Sequence, residues 1–136
     1  MADDFTQCMV SNSRMAARAI TRRYDAYLRP YGVTATQLSL MGGIRMIPGA
    51  TVSRLAEARG FERTTLTRNL DKLEQLGFVA SAAQGRARVP ALTPQGEALL
   101  EQLLPLWRKA QADLRAELSS ETFDDGINML KRLSKV

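Results

Sequence analysis

The sequence predicts a mainly helical protein with one small two-stranded β-ribbon, an α+β fold. Apolar residues recur at three- and four-residue spacing through most of the chain, the pattern of helices that each bury one face. Gln84-Gly85 lies where the tip of a hairpin belongs, between two short segments that we expect to be strands. The chain has 136 residues, of which 45% are hydrophobic, so we expect a single domain over residues 1–136.

Start and stop signals delimit the first two helices. We expect the first helix over about residues 9–29, because Pro30 does not continue it. The second begins at Thr34, which forms a T-x-x-Q capping box with Gln37. It ends before residues 48–49, a Pro-Gly pair that is typical of turns.

Two helices separated by a tight turn follow. A short helix begins at Thr51 or Ser53 and ends at Arg59, before Gly60, a residue suited to a left-handed helix end. The next helix is expected over residues 62–76. Its apolar stripe consists of Leu66, Leu70, Leu73 and Leu76. This arrangement predicts a helix-turn-helix, a unit that often has glycine in its turn.

The ribbon and two further helices complete the chain. We expect the strands over residues 78–82 and 86–92. Thr93 then caps a helix that runs to about residue 118, and Ser119 caps the last helix. The inward side of that last helix is expected to consist of Phe123, Ile127, Leu130 and Leu133.

The second helix of the helix-turn-helix has hydrogen-bond donors opposite its leucines. These residues are Arg63, Thr64, Thr65, Thr67, Arg68 and Lys72. Arginine donates two hydrogen bonds to guanine and threonine binds a base or touches a thymine methyl, so this face suits the major groove of DNA. At the ribbon tip, Arg86 suits a narrow minor groove and Arg88 a phosphate contact. The sequence therefore predicts a winged helix-turn-helix lobe for double-stranded DNA over about residues 34–92.

Composition agrees with an anionic partner and argues against an enzyme. Lys and Arg number 19 against 14 Asp and Glu, a formal net charge of +5. The chain has no histidine and a single cysteine, which excludes a zinc site and a Cys–His nucleophile, and it has no phosphate-binding glycine motif. We expect no enzyme activity, no cofactor and no metal. Neither a membrane span nor a signal peptide is visible, so we expect a cytoplasmic protein.

Three stretches of the sequence are typical of one family. They are YGVTATQLSLMGGI, TVSRLAEARGFERTTLTRNLDKLEQLGFV and GRARVPALTPQGEALL. They resemble the MarR family of bacterial regulators (multiple-antibiotic-resistance regulators), and the resemblance covers nearly the whole chain. It implies a homodimeric transcription regulator, here a repressor, that binds a pseudo-palindromic operator at the bacterial nucleoid. It also implies a supporting helix over residues 51–59, a recognition helix over 63–76, a minor-groove contact by Arg86, and dimerisation helices over about 5–30 and 94–136.

The resemblance further implies a dimer interface and an effector site. The terminal helices hold more apolar positions than a small wing domain needs. The candidates for the interface are Phe5, Met9, Val10, Trp107, Phe123, Ile127, Met129 and Leu130. Many family members release DNA when a small aromatic or phenolic acid binds between the dimer helices and the DNA lobe. The residues available to line such a pocket are Tyr24, Tyr27, Tyr31, Met41, Arg45 and Trp107.

Two positions depart from the family pattern, and two alternatives stay open. Gln84 stands where the family usually has Asp, and Glu62 stands where Ser often caps the recognition helix, so that Thr64 is a second candidate cap. Cys8 allows an oxidant-sensing regulator, because one branch of the family senses oxidants with a cysteine near the first helix. The other alternative is a winged-helix module for protein contacts, which a test of salt-dependent duplex binding distinguishes.

Overall fold

The elements follow the order of a winged helix-turn-helix flanked by longer helices in a computed structural model, which describes residues 2–135. Its helices are α1 (Met9–Leu28), α2 (Ala35–Met46), α3 (Val52–Arg59), α4 (Arg63–Gln75), α5 (Pro94–Leu118) and α6 (Ser120–Leu133). Its strands are β1 (Val79–Gln84) and β2 (Ala87–Leu92), and short 3-10 turns lie over Phe5–Gln7 and Arg29–Tyr31. The predicted fold class is confirmed. No helix within residues 2–135 is long and apolar enough to cross a membrane.

Threonine caps begin three of the helices, as the sequence predicts. The hydroxyl of Thr34 accepts a hydrogen bond from the backbone N–H of Gln37, and the Gln37 side chain accepts one from the N–H of Thr34, both at 3.1 Å. Thr51 and Thr93 cap α3 and α5 with the same kind of hydroxyl contact. Each cap satisfies an N–H group that has no partner inside its helix.

The turn between α3 and α4 fixes where α4 begins. Gly60 ends α3 with a φ of 70°, in the left-handed region that favours glycine. Glu62 is the N-cap of α4, and its side chain makes no capping hydrogen bond. Because the helix begins at Arg63, Thr64 lies inside the first turn and does not serve as the cap.

The core lies where α2, α3 and α4 pack against α5 and the base of the wing. Its fully buried side chains are Leu28, Leu40, Met41, Leu55, Leu66, Leu70, Leu73, Leu100 and Leu103. The prediction that Leu76 continues the leucine stripe is wrong, since its side chain is 46% exposed. α4 ends at Gln75, and the chain turns at Gly77 toward β1, so Leu76 is carried past the core.

The wing is an antiparallel pair whose tip lies one residue later than predicted. Val79 pairs with Leu92 at its base, and Gln84 pairs with Ala87 at its end. The loop is therefore Gly85-Arg86, with a φ of 61° at Gly85, as a two-residue hairpin loop requires at its first position. Arg86 consequently lies at the very tip.

The terminal helices leave much of their apolar surface uncovered within one chain. Every residue from 9 to 22 in α1 is exposed. In α6 only Phe123 is buried, beneath the guanidinium of Arg115 at 4.3 Å from the ring centre. The predicted inward positions Ile127, Leu130 and Leu133 are 38%, 49% and 44% exposed, because no other element within residues 2–135 covers this side of α6.

Candidate nucleic-acid interface and ligand cavity

The outer face of α4 presents the polar residues that the sequence singles out. Arg63, Thr64, Arg68 and Lys72 are exposed, while Thr65 and Thr67 are half-buried beside the leucines. Arg63, Thr64, Thr67 and Arg68 line one shallow open depression together with Asp71. Since Leu66, Leu70 and Leu73 hold the opposite side in the core, the helix presents a fixed array of donors to the outside.

Arg63 forms a hydrogen bond with a residue of α3. Its guanidinium donates a hydrogen bond to the hydroxyl of Ser53 at 2.7 Å. This contact joins the first turn of α3 to the first turn of α4. Arg63 is therefore held in place at the edge of the polar face.

The two wing arginines have different surroundings. Arg86 is exposed at the tip and forms no ion pair with any residue of the described chain. Arg88 instead turns toward α4, where its Nη2 lies 2.9 Å from Asp71 Oδ1 and 2.7 Å from Glu74 Oε2. Its Nε also donates to the hydroxyl of Ser81 on β1 at 3.1 Å. Of the two, only Arg86 has a guanidinium without a partner among residues 2–135.

A second site is a cavity of about 410 Å³ between α2 and α5, next to the end of α3. Its lining is mostly apolar. The residues are Tyr24, Ala35, Leu38, Ser39, Gly42, Arg45, Met46, Arg59, Leu100, Leu104 and Trp107. A volume of this size is in the range of small-molecule pockets.

Three of the six predicted pocket residues line this cavity, namely Tyr24, Arg45 and Trp107. The structure places the other three elsewhere. Met41 is fully buried in the core, and Tyr31 lies exposed after α1. Tyr27 donates a hydrogen bond to the carboxylate of Asp113, which lowers the pKa of Asp113 and raises that of Tyr27.

Arg59 is a cavity residue that the sequence reasoning missed. It is the last residue of α3, and its side chain crosses α2 at Gly43, where an added Cβ would lie 3.2 Å from its Cγ. The Gly42-Gly43 pair in the middle of α2 was the available signal, because two residues without side chains leave room on a helix surface. That signal shows where space exists and does not identify the arginine that fills it.

The two guanidinium groups of the cavity differ in charge compensation. Arg45 Nη2 lies 2.6 Å from Glu97 Oε2, and its Nη1 lies 2.8 Å from Glu101 Oε1. Arg59 forms no ion pair with residues 2–135. An anion in this cavity therefore meets one neutralised guanidinium and one free guanidinium.

Cys8 lies at the N-cap of α1 and is half-buried. The N–H and hydroxyl groups of Ser11, followed by the N–H of Val10, hold the pKa of the Cys8 thiol below its usual value. Amides at a helix start stabilise a thiolate in this way. These hydrogen bonds favour the thiolate form of the single cysteine.

Comparison with known proteins identifies the family. A model of the MarR family matches residues 31–87. The transcriptional regulator MosR of M. tuberculosis is 36% identical, with 98% of this chain and 100% of that chain covered and a TM-score of 0.84. MosR in complex with DNA is also 36% identical, with 95% of each chain covered and a TM-score of 0.84.

A more distant structure shares the fold. It is BpsR of Bordetella bronchiseptica, whose DNA binding is regulated by 6-hydroxynicotinic acid. The superposition covers 100% of each chain with a TM-score of 0.89. Its identity is 17%, so this likeness concerns the fold alone. Its full-length overlap shows that the terminal helices belong to the shared architecture.

Proposed function

We propose, because the chain belongs to the MarR family of winged-helix, DNA-binding transcription regulators, that it is a repressor that binds a pseudo-palindromic operator as a homodimer. It acts at the bacterial nucleoid in the cytoplasm and has no enzymatic role. The observation that carries this proposal is α4, whose buried leucines leave a row of arginine and threonine donors facing outward. The DNA complex of MosR supports it from a 36% identical relative.

The proposed contacts divide between two grooves. Thr64, Thr67 and Arg68 on α4 enter the major groove, where arginine discriminates guanine through O6 and N7. Arg86 enters the adjacent minor groove, where the negative potential of a narrow groove attracts a guanidinium. Lys72 and Arg63 lie at the ends of the α4 face and contact phosphates, which position the helix without reading sequence.

Arg68→Ala is expected to weaken binding to the operator by about 1–3 kcal/mol and to relax the preference at one base pair of each half-site. The operator is first selected from random duplexes with the wild-type protein. Fluorescence anisotropy at several salt concentrations then measures both affinity and its salt dependence.

The matched control for this test is Arg108→Ala, because Arg108 is an exposed residue of α5 outside the proposed interface. Arg108→Ala keeps the affinity and the base preference of the wild type. Equal affinities for all three proteins contradict the assignment of α4 to the major groove. If the wild type shows no salt-dependent duplex binding, a winged-helix module for protein contacts becomes the better explanation.

The cavity supports release from DNA by a small aromatic acid. Trp107 and Tyr24 supply aromatic surface, and Arg59 supplies a free positive charge for a carboxylate. Arg59 is also the last residue before the turn of the helix-turn-helix. A ligand that binds its guanidinium therefore acts directly on the DNA-binding unit. Regulation of BpsR by 6-hydroxynicotinic acid is the precedent in the same fold.

Arg59→Gln is expected to weaken the binding of aromatic acids by about tenfold, because a charge-assisted hydrogen bond is lost. The measurement is the thermal shift of the wild type and the variant with a panel that includes 6-hydroxynicotinic and hydroxybenzoic acids. Arg54→Gln is the control, since Arg54 is exposed on the same helix and does not line the cavity. If no acid of the panel changes the melting temperature or the DNA affinity of the wild type, the proposed regulation by an aromatic acid is wrong.

Oxidation of Cys8 is the alternative route of regulation, supported by the lowered pKa of its thiol. The chain has one cysteine, so a disulfide from this residue needs a second subunit or a small thiol. Peroxide should then weaken DNA binding by the wild type and leave Cys8→Ser unaffected. Equal peroxide responses of the two proteins remove this alternative.

A further inference from the structure

A network of four polar side chains joins the recognition helix to both strands of the wing. Arg88 on β2 contacts Asp71 and Glu74 on α4, and its Nε donates to the hydroxyl of Ser81 on β1. The Ser81 hydroxyl in turn donates to the carboxylate of Glu74. We refer to Asp71, Glu74, Ser81 and Arg88 as the Arg88 network.

We propose that Arg88 is a positioning residue, which holds the wing against α4 and thereby sets where Arg86 meets the minor groove. It is not itself the phosphate contact that its sequence position suggests. This inference rests on the proposed function, since it concerns how the same DNA-binding surface is built. It leaves Arg86 as the arginine of the wing whose charge faces the DNA.

Charge compensation is the first argument for this role. One guanidinium faces two carboxylates, so the Arg88 network has an excess of negative charge. An arginine whose charge is neutralised in this way adds little attraction to a phosphate. Its Nη2 and Nε groups are also already engaged, by two carboxylate oxygens on α4 and one hydroxyl on β1.

The packing of the wing is the second argument. On β1 only Val79 is buried, and residues 80–84 are all exposed. Arg88 lies opposite Ala83 in the ladder, in this outer half of the hairpin and two residues from Arg86. Hydrophobic packing therefore fixes the base of β1, and the Arg88 network supplies polar contacts that tie the strands to α4 further out.

The direction in which DNA affinity changes when Asp71 and Glu74 are neutralised distinguishes a positioning role from a purely electrostatic one. Removing carboxylates from a DNA-facing surface strengthens binding when they act only through charge, because repulsion of phosphates falls. If they anchor Arg88, the double variant Asp71→Asn/Glu74→Gln binds the operator about tenfold more weakly. Glu62→Gln is the matched control, an exposed carboxylate at the start of α4 outside the network, and it binds as well as or better than the wild type.

Arg88→Lys is the second variant, and it keeps the positive charge while losing the three-way donor geometry. A positioning role predicts that Arg88→Lys weakens binding about as much as Arg88→Gln, and that adding Arg86→Ala to either costs little more. Hydroxyl-radical footprints should lose the wing protection in the minor groove. Guanine N7 protection in the major groove should remain, which also shows that the variants are folded.

The opposite pattern overturns the inference. If Arg88 contacts a phosphate, Arg88→Lys keeps most of the affinity, Asp71→Asn/Glu74→Gln strengthens binding, and losses from Arg86 and Arg88 add. In that case the wild type still binds its operator, and the proposed function stands. Absence of salt-dependent duplex binding by the wild type overturns the proposed function and this inference together.

Discussion

Gly96→Ala is expected to lower the free energy of unfolding by about 3 kcal/mol or more, the upper range for a group forced into filled space. A Cβ on Gly96 would lie 2.0 Å from the carbonyl oxygen of Phe78 and 2.9 Å from its carbonyl carbon. That carbonyl cannot move aside freely, because it accepts a hydrogen bond from the N–H of Thr93 at 3.1 Å. α5 and the wing would have to separate to make room.

Urea unfolding at one fixed protein concentration measures this effect, since association also contributes to stability. Gly42→Ala is the matched control, because Gly42 is also helical and an added Cβ there meets nothing within 4 Å. This control should be more stable than the wild type by roughly 0.5–1 kcal/mol, the gain expected for alanine over glycine in a helix. Equal unfolding midpoints for Gly96→Ala and the wild type would show that the two segments do not pack this closely.

The features that the sequence predicts well depend on neighbours along the chain. Thr34 and Gln37 are three residues apart and form the expected capping box. Gly60 ends α3 by its own conformational preference. Leu66 and Leu70 share one side of a helix by its geometry alone, and both are fully buried. Local chemistry therefore determined the elements and most of their ends.

The features that the sequence predicts poorly depend on contacts between elements. Arg88 has the charge and the position in the sequence that a DNA contact needs. Its contacts with Asp71 and Glu74 depend on how the wing folds against α4, which the sequence does not reveal. Met41 and Arg45 are one turn apart on α2, yet packing puts one in the core and the other at the cavity. Ile127 has helical spacing to Phe123 and is 38% exposed, because no other element within residues 2–135 covers it.

Leu130→Glu is expected to convert the protein from a dimer to a monomer and to weaken operator binding by about 100-fold, because two linked half-sites bind with avidity. α6 exposes Ile127, Met129, Leu130 and Leu133, and the start of the chain exposes Phe5, Met9 and Val10. The exposed apolar residues of α6 lie together on one helix, and such a patch is typical of a surface that another protein covers. Light scattering measures the mass, and anisotropy measures the affinity for the selected operator.

Met46→Glu is the control, because Met46 is an exposed apolar residue of α2 outside the terminal helices, and this variant should remain a dimer.

The large effect at Leu130 has a physical cause on both sides of the interface. A two-fold contact presents each glutamate to the same apolar surface on the partner, so two carboxylates lose water without gaining hydrogen bonds. Half-sites one helical turn apart then have no link between their recognition helices, and each α4 binds alone. A wild type that is monomeric by light scattering while it binds the operator would contradict this account, whatever the behaviour of the variants.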